Sequence, residues 1–414
     1  MNEIRPLADD FVRVVESPSP QDIFCFSPGI AVLPNGNLLV TMDFGGPGVR
    51  RMEGSCPISL YPHLYQAGCA YLSEDGGRSW KKTSSNPLCH SRPFVAGHSV
   101  YIIGQAGDLG ILRSDDNGET WSDPVFLTHG ELWHQAPSNV WYANGCIYLV
   151  MEYLKDPNCG WPVNAHAPVL MRGKIGTDLL RKENWTFASR MIFRETVREN
   201  DLEYFGVPFY KTSFDGSEKW MPLGWLETQV VQFQNPADVF TDPTGHTFHL
   251  FMRTNSGLPN IAAMAKVVEK ADGSMETMLE TAPSGKTMLF FYLPGGQMKF
   301  HILYDAETGT YWLLSSQCTD SLKKWETMPP RRGDPVNERH RLVLHFSRNC
   351  FDWCFAGVVA IGPDENQSRH YASMAIRGND LLIVSRSGDK NAQSNHNTNF
   401  ISFHVIRGFR RLIY

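Results

Sequence analysis

One repeated pattern limits what this chain can fold into more than any other feature. Ser73-Glu74-Asp75-Gly76-Gly77-Arg78-Ser79-Trp80 and Ser114-Asp115-Asp116-Asn117-Gly118-Glu119-Thr120-Trp121 both read S-x-D-x-G-x-[ST]-W, and they start 41 residues apart. A tight turn explains each residue type. The Asp accepts backbone N–H groups, the Gly supplies a positive φ, the hydroxyls add local bonds, and the Trp packs between neighbouring sheets. A repeat of about 40 residues is the length of a four-stranded propeller blade. Shorter copies lie at Ser321–Trp325 and Ser347–Trp353; each ends in Trp and lacks the Gly.

The remaining text agrees with an all-β chain. Ile30–Leu33 and Leu38–Met42 flank Pro34-Asn35-Gly36-Asn37, and Val140–Tyr142 and Cys146–Met151 flank Ala143-Asn144-Gly145. Ser99–Ile103, Thr247–Arg253 and Asp380–Ser385 each follow a turn signal. Hairpins recurring in this way, with almost no amphipathic helical pattern, argue for a sheet protein. The expected fold is a single all-β propeller of four-stranded blades over residues 1–414. The 41-residue offset favours seven blades with long loops, six being the alternative. The linkers near 45–62, 194–220 and 316–341 are expected on the functional face, where propellers carry their long loops.

Composition removes several function classes. Lys plus Arg is 38 and Asp plus Glu is 43, a net charge of −5, which speaks against a nucleic-acid partner. No apolar run reaches the ~18 residues that span a bilayer, so no membrane partner is expected. The first twenty residues have early acids and no apolar leader core. The nine cysteines form no CxxC pair; Cys350 and Cys354 stand alone as CxxxC. Reduced thiols in a cytoplasmic protein are expected, not a disulfide framework or a zinc site. No phosphate loop, dinucleotide fingerprint, metal triad or Gly-x-Ser-x-Gly elbow is present, so no cofactor and no catalytic metal is expected. Aromatic residues are 12% of the chain, which suits both short strands and a sugar-stacking cleft.

The S-x-D-x-G-x-[ST]-W segments resemble the Asp-box repeats of sialidase-like β-propellers. Further text runs in a similar order: Trp133-His134-Gln135-Ala136-Pro137, Trp225-Leu226-Glu227, Phe251-Met252-Arg253, Pro294-Gly295-Gly296-Gln297-Met298-Lys299-Phe300, Val384-Ser385-Arg386 and His396-Asn397-Thr398-Asn399. Together they look like the propellers that include the rhamnose–glucuronate lyases. The resemblance implies seven blades, a central pocket for an acidic sugar, and Asp75 and Asp116 as rim residues outside the site. It also implies a His-Asp pair after the first Pro-Asn-Gly hairpin, where this chain reads Met42-Asp43. A thioether moves no proton at neutral pH. Sialidases open with Arg-Ile-Pro and use an Arg triad with a Tyr–Glu nucleophile pair; this chain has Phe26-Ser27-Pro28-Gly29-Ile30 there, without the Arg.

The chemistry-bearing residues yield a set of expectations, each with a plainer alternative. His134, at a strand start, is a catalytic candidate for proton transfer or else a hydrogen-bonded structural His. Glu227 is an acid or base, or else the ion-pair partner of Arg253. Arg253 and Arg386 are candidate clamps for a sugar carboxylate, because guanidinium binds carboxylate as a bidentate fork. Lys299 and His396 are substrate-binding candidates, and Asp43 either faces the pocket or holds a strand end. Tyr142, with Tyr153 behind it, is the base candidate for elimination, sheet packing being the alternative. Trp133, Trp161, Trp220 and Trp225 are candidates for stacking on sugar, and His404 reads as core. The expected activity is cleavage of a terminal glycosidic bond at an acidic sugar of an oligosaccharide, by hydrolysis or elimination. The alternative is a glycan-binding propeller without turnover, for which Met42 is the argument.

Overall fold

A computed structural model describes residues 5–58, 61–158, 162–198, 202, 206–210, 223–328 and 334–414. They form six antiparallel blades, not the preferred seven. The blades begin with inner strands Phe24–Val32, Cys89–Ala96, the broken strand Trp133–His134 and Trp141–Ala143, Trp225–Val231, His301–Asp305 and Arg369–Arg377. The second strands are Leu38–Gly45, Ser99–Ala106, Cys146–Leu154, Thr247–Thr254, Thr310–Ser316 and Asp380–Ser387. The count falls to six because the 41-residue spacing holds only between the first two blades. Blade 1 carries an inserted edge strand, Cys56–Ile58, and long connections separate Phe187 from Trp225 and Ser316 from Arg341.

The ring is closed by the N-terminal strand. Val12–Glu16 pairs antiparallel with Phe400–Arg407 and becomes the fourth strand of blade 6. Chain ends are thereby tied across the last seam, which leaves no open inter-blade edge there. Apolar clusters fill the seams. Leu38, Val40 and Met42 meet Leu382, Val384 and Phe403 between blades 1 and 6, and Tyr148 stacks on Phe248 at 4.1 Å between blades 3 and 4. A blade strand has both faces covered by neighbours, so its apolar residues run nearly continuously. Among the described residues no helix is long and apolar enough to cross a membrane.

The two repeated motifs occupy the turn between third and fourth strands of blades 1 and 2. Asp75 Oδ1 accepts from the Arg78 and Ser79 backbone N–H groups and Oδ2 from the Ser79 hydroxyl. Asp116 repeats this with Glu119, Thr120 and the Thr120 hydroxyl. Gly77 has φ 95° and a Cβ there would lie 2.1 Å from the Phe403 ring, so the turn both needs glycine and seats it against blade 6. Trp80 meets the same Phe403 at 5.4 Å. Ser347–Trp353 forms a shorter turn at the same place in blade 5, with Asn349 in the Asp position accepting from Phe351 and Asp352 N–H. Cys350 takes the left-handed conformation there that Asn117 takes in blade 2. Ser321–Trp325 lies between second and third strands and is no such turn.

Inner strands of different blades are too far apart to form a common sheet, so side chains satisfy their axial backbone groups. Gln135 Nε2 donates to Thr228 O, Asn139 Nδ2 to Val230 O and Gln229 Nε2 to Phe300 O. Lys299 Nζ donates to Ala372 O and to Ser373 Oγ, which in turn donates to Pro28 O. These bonds link blade 3 to 4, 4 to 5, 5 to 6 and 6 to 1. They plug the axis and leave a cavity at each end.

Candidate functional site

One cavity, of 430 Å³, opens where inner strands begin and second strands end. Its wall contains Ser27, His90, Glu227 and Tyr371. All four have positive φ, at 28°, 48°, 58° and 49°, although none is glycine. Each sits at a register shift of its inner strand, between Phe26 and Gly29, Cys89 and Arg92, Leu226 and Gln229, and His370 and Ser373. A bulge turns one extra side chain toward the axis, and a non-glycine residue held left-handed costs on the order of 1–3 kcal/mol. Four such residues around one cavity mark where the fold tolerates strain.

The ends of the second strands bring charged groups to this end of the axis, of which Asp43 and Arg386 line the cavity. Blade 1 contributes Asp43 and blade 3 Glu152, whereas blade 4 contributes Arg253 and blade 6 Arg386. Arg339, just before the third strand of blade 5, joins the arginines. Arg253 Nη1 donates to Glu227 Oε2 at 2.9 Å and to Tyr371 Oη at 2.8 Å, and its Nε to Gln297 O. Burial disfavours its charge, but Glu227 and Tyr371 outweigh that and raise its pKa. Arg386 lies 4.0 Å over the Phe26 ring and donates to the His396 carbonyl. Arg339 Nη1 is 3.0 Å from His370 Nδ1. Among the described residues neither Arg339 nor Arg386 has a carboxylate within ion-pair distance. Burial, with mutual repulsion for Arg386, lowers their pKa values to about 10 and about 9. Tyr371 stays protonated: burial first, then the Glu227 charge, raise its pKa.

Asp43 lines the opposite side. Its Oδ1 accepts from the His90 N–H at 3.1 Å and its Oδ2 has no partner. Burial raises its pKa to about 7. Met42, the next residue, points the other way into the core between blades 1 and 6 and is fully buried. A histidine at 42 would sit in that core, so position 42 says nothing about the pocket.

The expected site residues divide accordingly. His134, Glu227, Arg386, His396 and Asp43 line this cavity, and Arg253 braces it. The ion pair expected between Glu227 and Arg253 is present, and it lies inside the site. Lys299 is buried in the axial plug, where burial lowers its pKa to about 7, and does not line the cavity. Tyr142 lines the second cavity, of 440 Å³, at the far end of the axis, and its hydroxyl donates to Val95 O at 2.9 Å. Tyr153 is held outside the pocket under the Arg190 guanidinium at 3.6 Å. Trp133 reaches the wall, Trp225 is fully buried against Phe193, and Trp161 and Trp220 lie outside the described residues. His404 is core, between Ser402 Oγ and Ala8 O. Sequence reading missed Tyr371, Arg339, His90, Glu152 and His166. A usable signal existed for two of them: a polar residue followed by a small one near the start of three inner strands, in His90-Ser91, Glu227-Thr228 and Tyr371-Ala372.

No family model matches the sequence, and no curated protein is significantly similar to it. Solved structures are similar in fold. A Hadza microbial sialidase aligns at 14% identity and TM-score 0.55, covering 96% of this chain and 68% of that one. A Penicillium chrysogenum α-L-arabinanase complexed with arabinobiose aligns at 12% and 0.52, covering 99% and 100%. Trypanosoma rangeli sialidase in complex with sialic acid aligns at 13% and 0.51; the chain spans 60% of its length. The fold class is therefore the β-propeller shared with these glycosidases.

Proposed function

We propose that this chain is a retaining exo-glycosidase for a terminal sugar bearing a carboxylate. The observation that carries the reading is the shared contact of Arg253 with Glu227 and Tyr371, set beside two buried arginines without carboxylate partners. Such arginines recruit an anion, and guanidinium fits a carboxylate. In this reading Tyr371 Oη attacks the anomeric carbon while Glu227 takes its proton. A neutral phenol suits a substrate whose carboxylate would repel an anionic nucleophile. Asp43, protonated near neutrality, gives its proton to the leaving oxygen, then removes one from the water that cleaves the glycosyl–tyrosine bond, while Glu227 returns its proton to the departing Tyr371 oxygen. The sialidases and arabinanase with similar folds support a glycan substrate; the arginines favour an acidic one.

Of the two candidate bases for elimination, Tyr142 is at the other cavity and His134 lines this one, so elimination is the second reading. The unpaired state of the eight described cysteines supports a reducing compartment, and thus an imported oligosaccharide as substrate. Incubation with sialylated and uronate-bearing oligosaccharides tests the activity, read by mass spectrometry. Hydrolysis, together with a fluorinated glycosyl adduct trapped on Tyr371, is expected. An unsaturated product without added water, or binding without turnover, would reject the mechanism.

A further inference from the structure

We propose that His134, Glu152 and His166 form a binding site for one divalent first-row transition-metal ion in the blade 3 wall of the cavity. The inference does not rest on the glycosidase reading. The three residues come from adjacent strands of one sheet. His134 pairs directly with Glu152 across the first and second strands, and His166 opens the third strand. Glu152 Oε2 lies 3.7 Å from His134 Nδ1 and 4.0 Å from His166 Nδ1, and the three donor atoms all fall within 4.8 Å of one another. Among the described residues this is the one cluster of its kind.

Three features separate it from an accidental cluster. First, the facing atoms have no other partner: His134 Nδ1, Glu152 Oε2 and both His166 nitrogens are buried and make no hydrogen bond. Leaving several such groups unmet in one place is costly. Second, the other Glu152 oxygen is fixed. Oε1 accepts from the Thr228 N–H at 3.1 Å and its hydroxyl at 3.0 Å, which aims Oε2 at the imidazoles. Outer hydrogen bonds of this type orient metal ligands. Third, the imidazoles are stacked at 5.3 Å with 17° between planes, and both present Nδ1 to the same Glu152 oxygen.

An ion about 2.1 Å from each donor needs ligand atoms roughly 3–3.5 Å apart, so the set closes by a small rotation of side chains. His134 can supply much of it, being the only one of the three that reaches solvent. Two imidazoles and one carboxylate suit zinc, cobalt, manganese or iron; calcium and magnesium prefer oxygen donors. The remaining coordination position faces the cavity, where a water or a hydroxyl or carboxylate oxygen of the ligand would complete it. No spacing signals this site in the sequence.

Chelator-stripped full-length protein, dialysed against micromolar Zn²⁺ and passed through a desalting column, provides the test. About one ion per chain is expected by elemental analysis, falling at least tenfold in Glu152→Gln and His166→Asn. Circular dichroism checks that both variants fold, and Tyr142→Phe serves as the control at the other cavity. Should the variants not fold, X-ray absorption of the Co²⁺-loaded wild type decides. Two imidazole shells support the site. Sulfur ligation, oxygen-only ligation, no retained ion, or equal retention in folded variants would overturn it.

Discussion

Tyr371 and Glu227 come from inner strands of different blades, 6 and 4, yet share one nitrogen: Arg253 Nη1 stands 2.8 Å from the Tyr371 hydroxyl and 2.9 Å from Glu227 Oε2. Both sit on left-handed bulges. Backbone strain and a buried ion pair thus hold a phenol and a carboxylate on one guanidinium before any ligand arrives.

Replacing Tyr371 by Phe keeps the ring and removes the oxygen proposed to attack. Turnover should fall about 10³-fold or more, while binding of an acidic sugar changes little. Steady-state rates with calorimetric binding check this. Retained turnover would eliminate Tyr371 as nucleophile.

Glu227→Gln should lose activity and stability together. Removing one partner of a buried ion pair leaves Arg253 uncompensated and costs about 3–5 kcal/mol. Denaturant midpoints measure the loss. Glu227→Gln with Arg253→Met should recover part of it, since no lone buried charge remains.

Asp43 gives a pH test of both activity and stability, each expected to fall as pH rises. Its pKa is raised to about 7 by burial, so the proton donor is lost above that pH, and kcat/KM should fall with rising pH through about 7. The folded state binds this proton more tightly than the unfolded chain. Stability from that source is therefore fully present below the unfolded carboxylate value near ~4 and declines until about pH 7. At pH 8 Asp43→Asn should be inactive and more stable, by up to on the order of 3–4 kcal/mol. Asn keeps an oxygen for the His90 N–H. Equal melting temperatures at pH 8 would count against the buried ionisation.

Arg339→Met and Arg386→Met should separate charge recognition from chemistry. KM for a carboxylate sugar is expected to rise about 10²-fold, corresponding to loss of one charge-assisted pair, while a neutral analogue is little affected. Equal effects on both substrates would argue against a carboxylate clamp.

Asp116→Ala removes four hydrogen bonds from an exposed turn far from the cavity. A loss of about 1–2 kcal/mol is expected with unchanged kcat per folded molecule. The Asp116 pKa is lowered to about 2 because hydroxyl and N–H donors outweigh burial, so its contribution holds above the usual carboxylate range and fades as pH drops toward 2. Acid titration of variant against wild type reads this directly.

Local chemistry made much of the architecture legible. Asp75, Gly77 and Trp80, or Asp116, Gly118 and Trp121, carry a turn within eight residues, and hairpin signals are equally short-range. Blade number was not readable that way, because insertions after Phe187 and Ser316 change the spacing without changing the turns. Glu227, Arg253, Arg386, His396, His134 and Asp43 were recognisable as charged or imidazole groups at strand ends. Their assembly around one cavity was not, nor was the separation of Tyr142 and Lys299 from it.

The sequence by itself determined the strands, the turns and the residue types available for chemistry, since those depend on neighbours a few positions apart. Tertiary structure alone decided which groups meet. Tyr371 is 144 positions from Glu227, and His134, Glu152 and His166 are separated by whole hairpins. Propeller closure brings every inner strand to one axis, and bulges choose which side chain faces it. Burial there, away from water, then sets the protonation of Asp43, Tyr371 and the arginines in ways no local pattern encodes.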